Sequence, residues 1–368
     1  MIPVPPAVQR IPWKLIALLS AITGFGLLVL YSAAGGSLSP WAWQQGVRFV
    51  IFLIGALILG RLPLRLYEDF AYIGYIGVAI LLVAVELLGF VGGGSQRWLN
   101  LGFLNLQPSE LMKVAIVLAL AHFYTQLPPG NTRTLTALWP ALVMIGIPAA
   151  LVMLQPDLGT ALAICASGVV VMFLAGLPLW WFGSAALAGA ASLPILFSFL
   201  HDYQQKRVLI FLDPESDPLG AGYHISQSKI AIGSGGIGGK GFLNGSQSHL
   251  DYLPEGHTDF IFATMAEEWG LIGGVALLFA FFLLLRWSTR VALHARTRFG
   301  QLTAAGLTMT IFFYLAINLM MVMGLAPVVG IPLPLFSYGG SSMLTIMTCV
   351  GIILAVESDS KTRSRRLY

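Results

Sequence analysis

Apolar stretches near the length that crosses a bilayer core of about 30 Å recur along this chain at approximately Trp13–Ala33, Gly46–Leu62, Phe70–Phe90, Ser109–Thr125, Trp139–Leu154, Leu158–Ala175, Leu179–Leu200, Phe260–Leu285, Gln301–Leu325 and Ser341–Val356. Of the 368 residues, 57% are hydrophobic and 10% charged, against roughly 25% charged in a soluble domain. A water-soluble globular protein is excluded. The pattern predicts an all-α integral membrane protein of ten transmembrane helices, with a large structured external loop, residues 201–259, between the seventh and eighth. The chain reads as a single polytopic domain, 1–368, with no fixed-period repeat and no soluble domain to carry an activity.

The 41 glycines and 20 prolines argue for broken helices and re-entrant segments, since both residues are tolerated at membrane depth only where neighbours re-satisfy the backbone. Cys165 and Cys349 fall inside apolar runs, which leaves no disulfide framework and no zinc site of the usual spacing. Arg10 and Lys14 precede the first stretch as they would in a signal peptide, but its apolar run exceeds the usual 7–15 residues, so it reads as a retained span. An even number of spans puts both termini on one side. Arg10, Lys14, Arg61, Arg65, Arg133, Arg286, Arg290, Arg296, Arg298, Lys361, Arg363, Arg365 and Arg366 fall on that side and mark it as cytoplasmic.

Ionisable groups within or at the ends of spans are costly and single out functional sites. Glu110 and Lys113 sit in the first turn of the fourth span, Asp157 opens the sixth and Asp259 opens the eighth. All three helices then begin at the outer face, where unpaired N–H groups and a partial positive charge suit phosphate or pyrophosphate. Taken singly, Ser109, Asp157 and Asp259 also read as ordinary N-caps, and Glu110 with Lys113 as an ordinary i,i+3 pair; their convergence on one face favours the functional reading. Glu86 is a further cavity candidate, and Arg97 and Arg207 offer planar forks for phosphate oxygens.

The external loop is rich in glycine. Gly233–Gly238 matches G-x-G-x-x-G without the strand and helix that this fingerprint requires, and Gly239-Lys240 resembles the end of a P-loop that lacks its first glycine and its Ser or Thr. Neither supports a nucleotide site. The glycines instead offer backbone that approaches a ligand closely, and Ile225–Ile232 has the spacing of a short helix on the membrane surface. A lid or re-entrant floor is the expected product.

Several motifs together resemble the SEDS (shape, elongation, division and sporulation) family: Gln96-Arg97-Trp98-Leu99; Gln107-Pro108-Ser109-Glu110 with Lys113; Gln155-Pro156-Asp157-Leu158-Gly159-Thr160; Asp213 through His224; Gln227-Ser228-Lys229 with the run Gly233–Gly241; Leu253 through Phe260; and Pro332-Leu333-Pro334 with Ser337-Tyr338-Gly339-Gly340-Ser341. They span most of the chain, and Leu212 through His224 resembles the elongation branch rather than the division branch. Gly256 departs from the longer polar residue expected there. The resemblance implies ten spans with cytoplasmic termini in the bacterial inner membrane. It also implies polymerisation of lipid II into peptidoglycan at the outer face, beside a class B penicillin-binding transpeptidase and the elongation machinery; it implies no nucleic acid.

The family's aspartate carries over onto Asp259, expected to be the general base that takes the proton of an acceptor hydroxyl. Its Glu and Lys carry over onto Glu110 and Lys113, and its sixth-span Asp onto Asp157. Arg97, Arg207, Lys229, Lys240, Glu255 and His257 are the further substrate-binding candidates. No cofactor is certain; a divalent cation, Mg²⁺ or Mn²⁺, between carboxylates and pyrophosphate stays open. A helix N-terminus favours the ionised carboxylate and so weakens Asp259 as a base, unless burial offsets it. The rival readings are a lipid II flippase and a scaffold for the transpeptidase. The flippase is disfavoured because the acids cluster outside rather than along a route through the bilayer, the scaffold because it leaves those acids without a task.

Overall fold

The computed structural model describes residues 12–92, 95–100, 105–128, 130–199, 205, 209–210, 213, 221–249, 252–253 and 255–365. Helices occupy the apolar stretches: α1 (Trp13–Ala33), α2 (Trp41–Leu59), the short α3 (Leu64–Asp69), α4 (Ala71–Leu88), α5 (Pro108–Gln126), α6 (Leu135–Leu154), α7 (Leu158–Leu174) and α8 (Leu179–Phe199). After them come α9 (Ala221–Gly235), the single turn α10 (Ser246–His249), α11 (Ile261–His294), α12 (Arg298–Val322) and α13 (Gly340–Arg365). Among the described residues, α1, α2, α6, α11, α12 and α13 are long and apolar enough to cross a membrane, and α4 and α7 are shorter apolar helices. Large apolar side chains such as Ile51, Ile54, Ile73, Ile80, Leu271 and Phe279 point outward, where a soluble protein could not expose a continuous apolar band. The chain is a multi-pass membrane protein.

The helices are not the whole architecture. Three short antiparallel strands, β1 (Phe90–Gly92), β2 (Ser95–Asn100) and β3 (Asn105–Leu106), form a sheet in the order β1-β2-β3 between α4 and α5, with Phe90 opposite Trp98 and Leu99 opposite Leu106. The chain is otherwise helical, consistent with the all-α membrane protein expected; hydropathy over long windows does not register strands of two to six residues.

α5 and α13 lie at the centre. α5 buries Glu110, Met112, Lys113 and most of the helix after them against α4, α7, α12 and α13. α2 approaches α13 closely, because any Cβ on Gly351 would lie 2.9 Å from the Ala56 carbonyl and one on Gly60 2.8 Å from Leu354 Cβ. Small residues at such contacts let backbones meet where lipid offers no hydrophobic drive to association.

α11 runs for 34 residues but is broken at Gly270, whose φ of 61° and ψ of −158° lie outside the helical region. A break inside a buried helix frees backbone groups that must find partners. The segment after α9 supplies them: Leu271 N donates to Gly236 O (3.0 Å), Ile272 N to Ile237 O (3.2 Å), Lys240 N to Glu267 O (2.9 Å) and Gly241 N to Glu268 O (3.0 Å). A side chain at Gly235 or Gly239 would collide with the Ala266 or Glu268 carbonyl. These glycines approach protein backbone, so the close approach expected of them serves the helix break. α9 extends the helix expected at Ile225–Ile232, and it packs on α11 and α12 with Ser228 Oγ donating to Val322 O at 2.7 Å.

Candidate active site

Asp157 is the N-cap of α7: its Oδ1 accepts from Thr160 N at 3.1 Å and its Oδ2 from Thr160 Oγ1 at 2.9 Å. The other two N-cap readings do not hold. α5 starts at Pro108 with Gln107 as N-cap, and α11 starts at Ile261 with Phe260 as N-cap, neither with a side-chain cap. Ser109 and Asp259 are displaced because Pro108, with no N–H to lose, takes the first helical position, and because the turn 255–260 closes on the Glu255 carbonyl through Thr258 N and Phe260 N.

Around Asp157 the polar contacts are dense. β2 carries Arg97, whose Nη1 stands 3.6 Å from Asp157 Oδ2 and whose other nitrogens donate to the carbonyls of Gln155 (3.1 Å) and Pro156. Gln107 Nε2 reaches the same Oδ2 at 3.1 Å. Asp157 is 5% exposed, and these contacts supply the hydrogen-bond and ion-pair partners that a buried polar group requires.

On α5, Glu110 and Lys113 form a separate, buried pair at 2.6 Å. Tyr314 of α12 donates its hydroxyl to the second Glu110 oxygen, and Lys113 Nζ stands 4.2 Å from the centre of the Tyr314 ring. Lys113 is 1% exposed and lines a narrow crevice with Ser167, Thr310, Tyr314 and Ile331.

Asp259 is half-buried, and its carbonyl accepts from Asn318 Nδ2 at 2.8 Å. The same amide nitrogen donates to Ile331 O at 2.7 Å. Two residues earlier, His257 stacks on Trp41 with ring centres 4.0 Å apart and planes 10° apart, and its carbonyl accepts from Tyr338 N at 3.0 Å. Burial pushes the imidazole below its usual 6.5, and the Glu255 charge opposes that in part. Glu255 is exposed, takes a left-handed φ of 56° and receives the Thr258 hydroxyl at 2.6 Å.

Three consecutive residues between α12 and α13 join these clusters. Val329 packs so tightly on Gly159, two residues after Asp157, that a Cβ there would collide with it. Gly330 has a φ of 78°, and a Cβ on it would stand 3.4 Å from Asp259 Oδ2. Ile331 lines the crevice that holds Lys113. The starts of α5, α7 and α11 therefore meet on one strand of backbone, Val329–Ile331.

The remaining candidates lie elsewhere. Lys240 pairs with Glu267 at 2.6 Å. Lys229 is exposed on α9, with its chain end against Gly324. Glu86 is exposed on α4, and Arg207 lies outside the described residues. Among the described residues no three His, Cys, Asp or Glu side chains gather as a metal-ligand set.

The sequence model of the family described as "Cell cycle protein", FtsW/RodA/SpoVE, matches residues 12–362. The chain belongs to this family. It is similar to the peptidoglycan glycosyltransferase MrdB of Escherichia coli (strain K12), with 46% identity over 95% of this chain and 94% of the relative. Among solved structures, one chain described under the structural coordination of polymerization and crosslinking by a peptidoglycan synthase complex superposes with a TM-score of 0.79, at 34% identity over 95% of this chain and 98% of that one. Another is the rod shape determining protein RodA of Thermus thermophilus, with a TM-score of 0.71 and 30% identity over 94% of this chain and 96% of that chain. The SEDS resemblance read from the motifs is thereby confirmed.

Within the family fold, sequence reasoning passed over Glu267 and Glu268, 0% and 1% exposed in α11, and Tyr314, the partner of Glu110. Glu267 accepts from Lys240 Nζ, from Ser246 Oγ at 3.1 Å and from Gln247 N at 3.0 Å, and Ser32 of α1 donates to Glu268. Two adjacent acids inside an apolar stretch were the available signal.

Proposed function

We propose that this chain is a peptidoglycan glycosyltransferase that polymerises lipid II, a lipid-linked disaccharide-peptide, at the outer face of the bacterial inner membrane during cell elongation. The observation that carries the reading is the meeting of Asp157, Asp259 and the Glu110–Lys113 pair along Val329–Ile331, in a chain 46% identical over 95% of its length to a peptidoglycan glycosyltransferase. The helices at all ten apolar stretches support ten crossings, with both termini cytoplasmic and the 201–259 loop outside. Similarity to a chain described in a peptidoglycan synthase complex supports a cross-linking partner, here a class B penicillin-binding transpeptidase.

In the reaction, the 4-hydroxyl of an acceptor GlcNAc attacks C1 of a donor MurNAc. The new O–C1 bond forms as the C1–O bond to undecaprenyl pyrophosphate breaks, with inversion and no covalent intermediate. Asp259 takes the hydroxyl proton. It is half-buried and stands one residue before the N-cap of α11. Asn318 fixes the Asp259 backbone, and Arg97 with Asp157 and Glu110 with Lys113 are two compensated ion pairs that hold the polar floor. The acids assigned to the reaction stand at the starts of α5, α7 and α11 rather than along the length of the spans, which favours the enzyme over the flippase.

The test is glycan polymerisation in detergent by the purified chain with its transpeptidase partner. Parental protein makes polymer and Asp259→Asn makes none while still folding. A flippase would make none with either, since detergent abolishes sidedness; polymer at the parental rate from Asp259→Asn would remove Asp259 from the reaction.

A further inference from the structure

Gly330, on the loop between α12 and α13, is exposed and lies beside the half-buried Asp259. A Cβ built on it would find Asp259 Oδ2 at 3.4 Å and, chain neighbours aside, no other heavy atom of the described residues within 4 Å. The volume that any other residue would fill at this position is therefore open space bordering a carboxylate. A φ of 78° accounts for a glycine on steric grounds but not for that opening. Gly239 and Gly324 also take positive φ, and a Cβ on them would strike the Glu268 carbonyl or the Lys229 side chain.

The backbone is held on both sides of Gly330. Before it, Val329 sits against Gly159, where a Cβ would stand 1.8 Å from Val329 Cγ1, and its N–H donates to Met321 Sδ at 3.4 Å. After it, Ile331 is buried, and its carbonyl accepts from Asn318 Nδ2, which also donates to Asp259 O. One amide thus fixes the neighbour of Gly330 and the backbone of Asp259 in a common frame, so a side chain added at position 330 stays aimed at Oδ2. A general base works when the hydroxyl oxygen comes within about 2.6–3.2 Å of it. The opening over Gly330, whose reference point lies 3.4 Å from Oδ2, adjoins that range.

We propose that Gly330 is a specificity-determining residue on the acceptor side: by carrying no side chain it keeps clear the space through which a sugar hydroxyl reaches Asp259 Oδ2. This deepens the glycosyltransferase reading and rests on Asp259 as its base. Gly330 moves no proton itself. It sets how large a group can stand against the carboxylate.

The experiment measures lipid II polymerisation and melting in detergent for the chain with its transpeptidase partner, as parent, Gly330→Ala and Gly330→Asn. Asn is larger than Ala but tolerates the left-handed region better, so size and strain rank the two variants oppositely. Melting temperature is expected to fall in the order parent, Asn, Ala. The expected order of kcat is parent, Ala, Asn, with losses of about tenfold and about a hundredfold, the scale of a displaced reacting group. Gly130→Ala, at a φ of 93° with open space at its Cβ, imposes comparable strain between α5 and α6 and is expected to polymerise at the parental rate. Gly330→Asn as active as Gly330→Ala, or more so, would overturn the proposal, because activity would then follow strain. If neither variant folds, Asp259→Cys with Gly330 in place decides: a methanethiosulfonate reagent is expected to label position 259, and more slowly once lipid II is bound. A thiol that resists the reagent, or reacts equally fast with lipid II bound, refutes the open approach. Asp259→Asn is assayed alongside. Polymer from it at the parental rate removes the catalytic reading, whereas an inactive Asp259→Asn beside a fully active Gly330→Asn removes Gly330 alone.

Discussion

The side-chain amide of Asn318 ties the backbone of Asp259 to that of Ile331, donating to one carbonyl at 2.8 Å and to the other at 2.7 Å. A single residue near the C-terminal end of α12 thus ties the backbone of the carboxylate proposed as base to the segment on which the other acids meet. Asn318→Leu, similar in volume, removes both hydrogen bonds and leaves the buried Ile331 carbonyl and the part-buried Asp259 carbonyl unmet, at a cost of about 1–3 kcal/mol for a buried one. Polymerisation is expected to fall at least tenfold while the protein still assembles with its partner, as read by product length and by co-purification.

Glu267 fastens the end of the glycine-rich segment through Lys240, Ser246 and Gln247. Glu267→Ala leaves those donors without their acceptor and is expected to cost about 1–3 kcal/mol. The measurement is limited proteolysis between residues 240 and 253, where cleavage should become faster in the variant with the spans left intact.

Gly239 combines a φ of 77° with a position whose Cβ would strike the Glu268 carbonyl. Gly239→Ala should destabilise by more than about 1 kcal/mol, beyond the entropic gain that alanine usually brings. Gly238→Ala, with open space at its Cβ, should be close to neutral, and the pair of melting curves in detergent separates collision from general loop sensitivity.

Asp157 caps α7 and also receives Arg97 and Gln107. Asp157→Asn keeps the cap, for which Asn and Asp are about equal, but removes the charge opposite Arg97. Stability is expected to change less than with Asp157→Ala, which loses about 1 kcal/mol for the cap alone. Equal melting points for the two variants would assign the residue to the ion pair rather than the cap.

His257 gives a dependence on pH. Burial lowers its folded-state value below 6.5, so the unfolded chain takes up the proton first as pH falls. Its contribution is present in full above about pH 6.5 and is lost as pH drops from there towards the lowered folded value. His257→Phe keeps a ring against Trp41 and removes the titration. Melting points at about pH 7.5 and 5.5 should differ less in this variant than in the parent.

Much of the fold was legible because hydrocarbon length is a local property: α1 has the bounds read from its apolar run, and α7 starts where Asp157 and Thr160 announce a cap. α11 was shorter in the reading than in the structure, since helix continues through Arg286 and Arg290 after the hydropathy falls. At the site, the i,i+3 spacing of Glu110 and Lys113 made their pairing legible. Partners distant in sequence were not: Tyr314 meets Glu110 across 204 positions and Ser32 meets Glu268 across 236. Arg48 of α2 likewise meets the ring of Tyr338 far along the chain, a contact that no local pattern announces.

The break at Gly270 makes the external segment and the helix after it a single unit of inheritance. Residues 233–241 carry no pattern of their own that would survive transplantation, since their glycines and carbonyls are cut to the backbone of Ala266–Ile272. A chimera that exchanges the loop between family members without α11 inherits an interrupted helix and no counterpart to complete it. The natural boundary for exchanging parts among these proteins therefore runs outside both, before α9 and after α11.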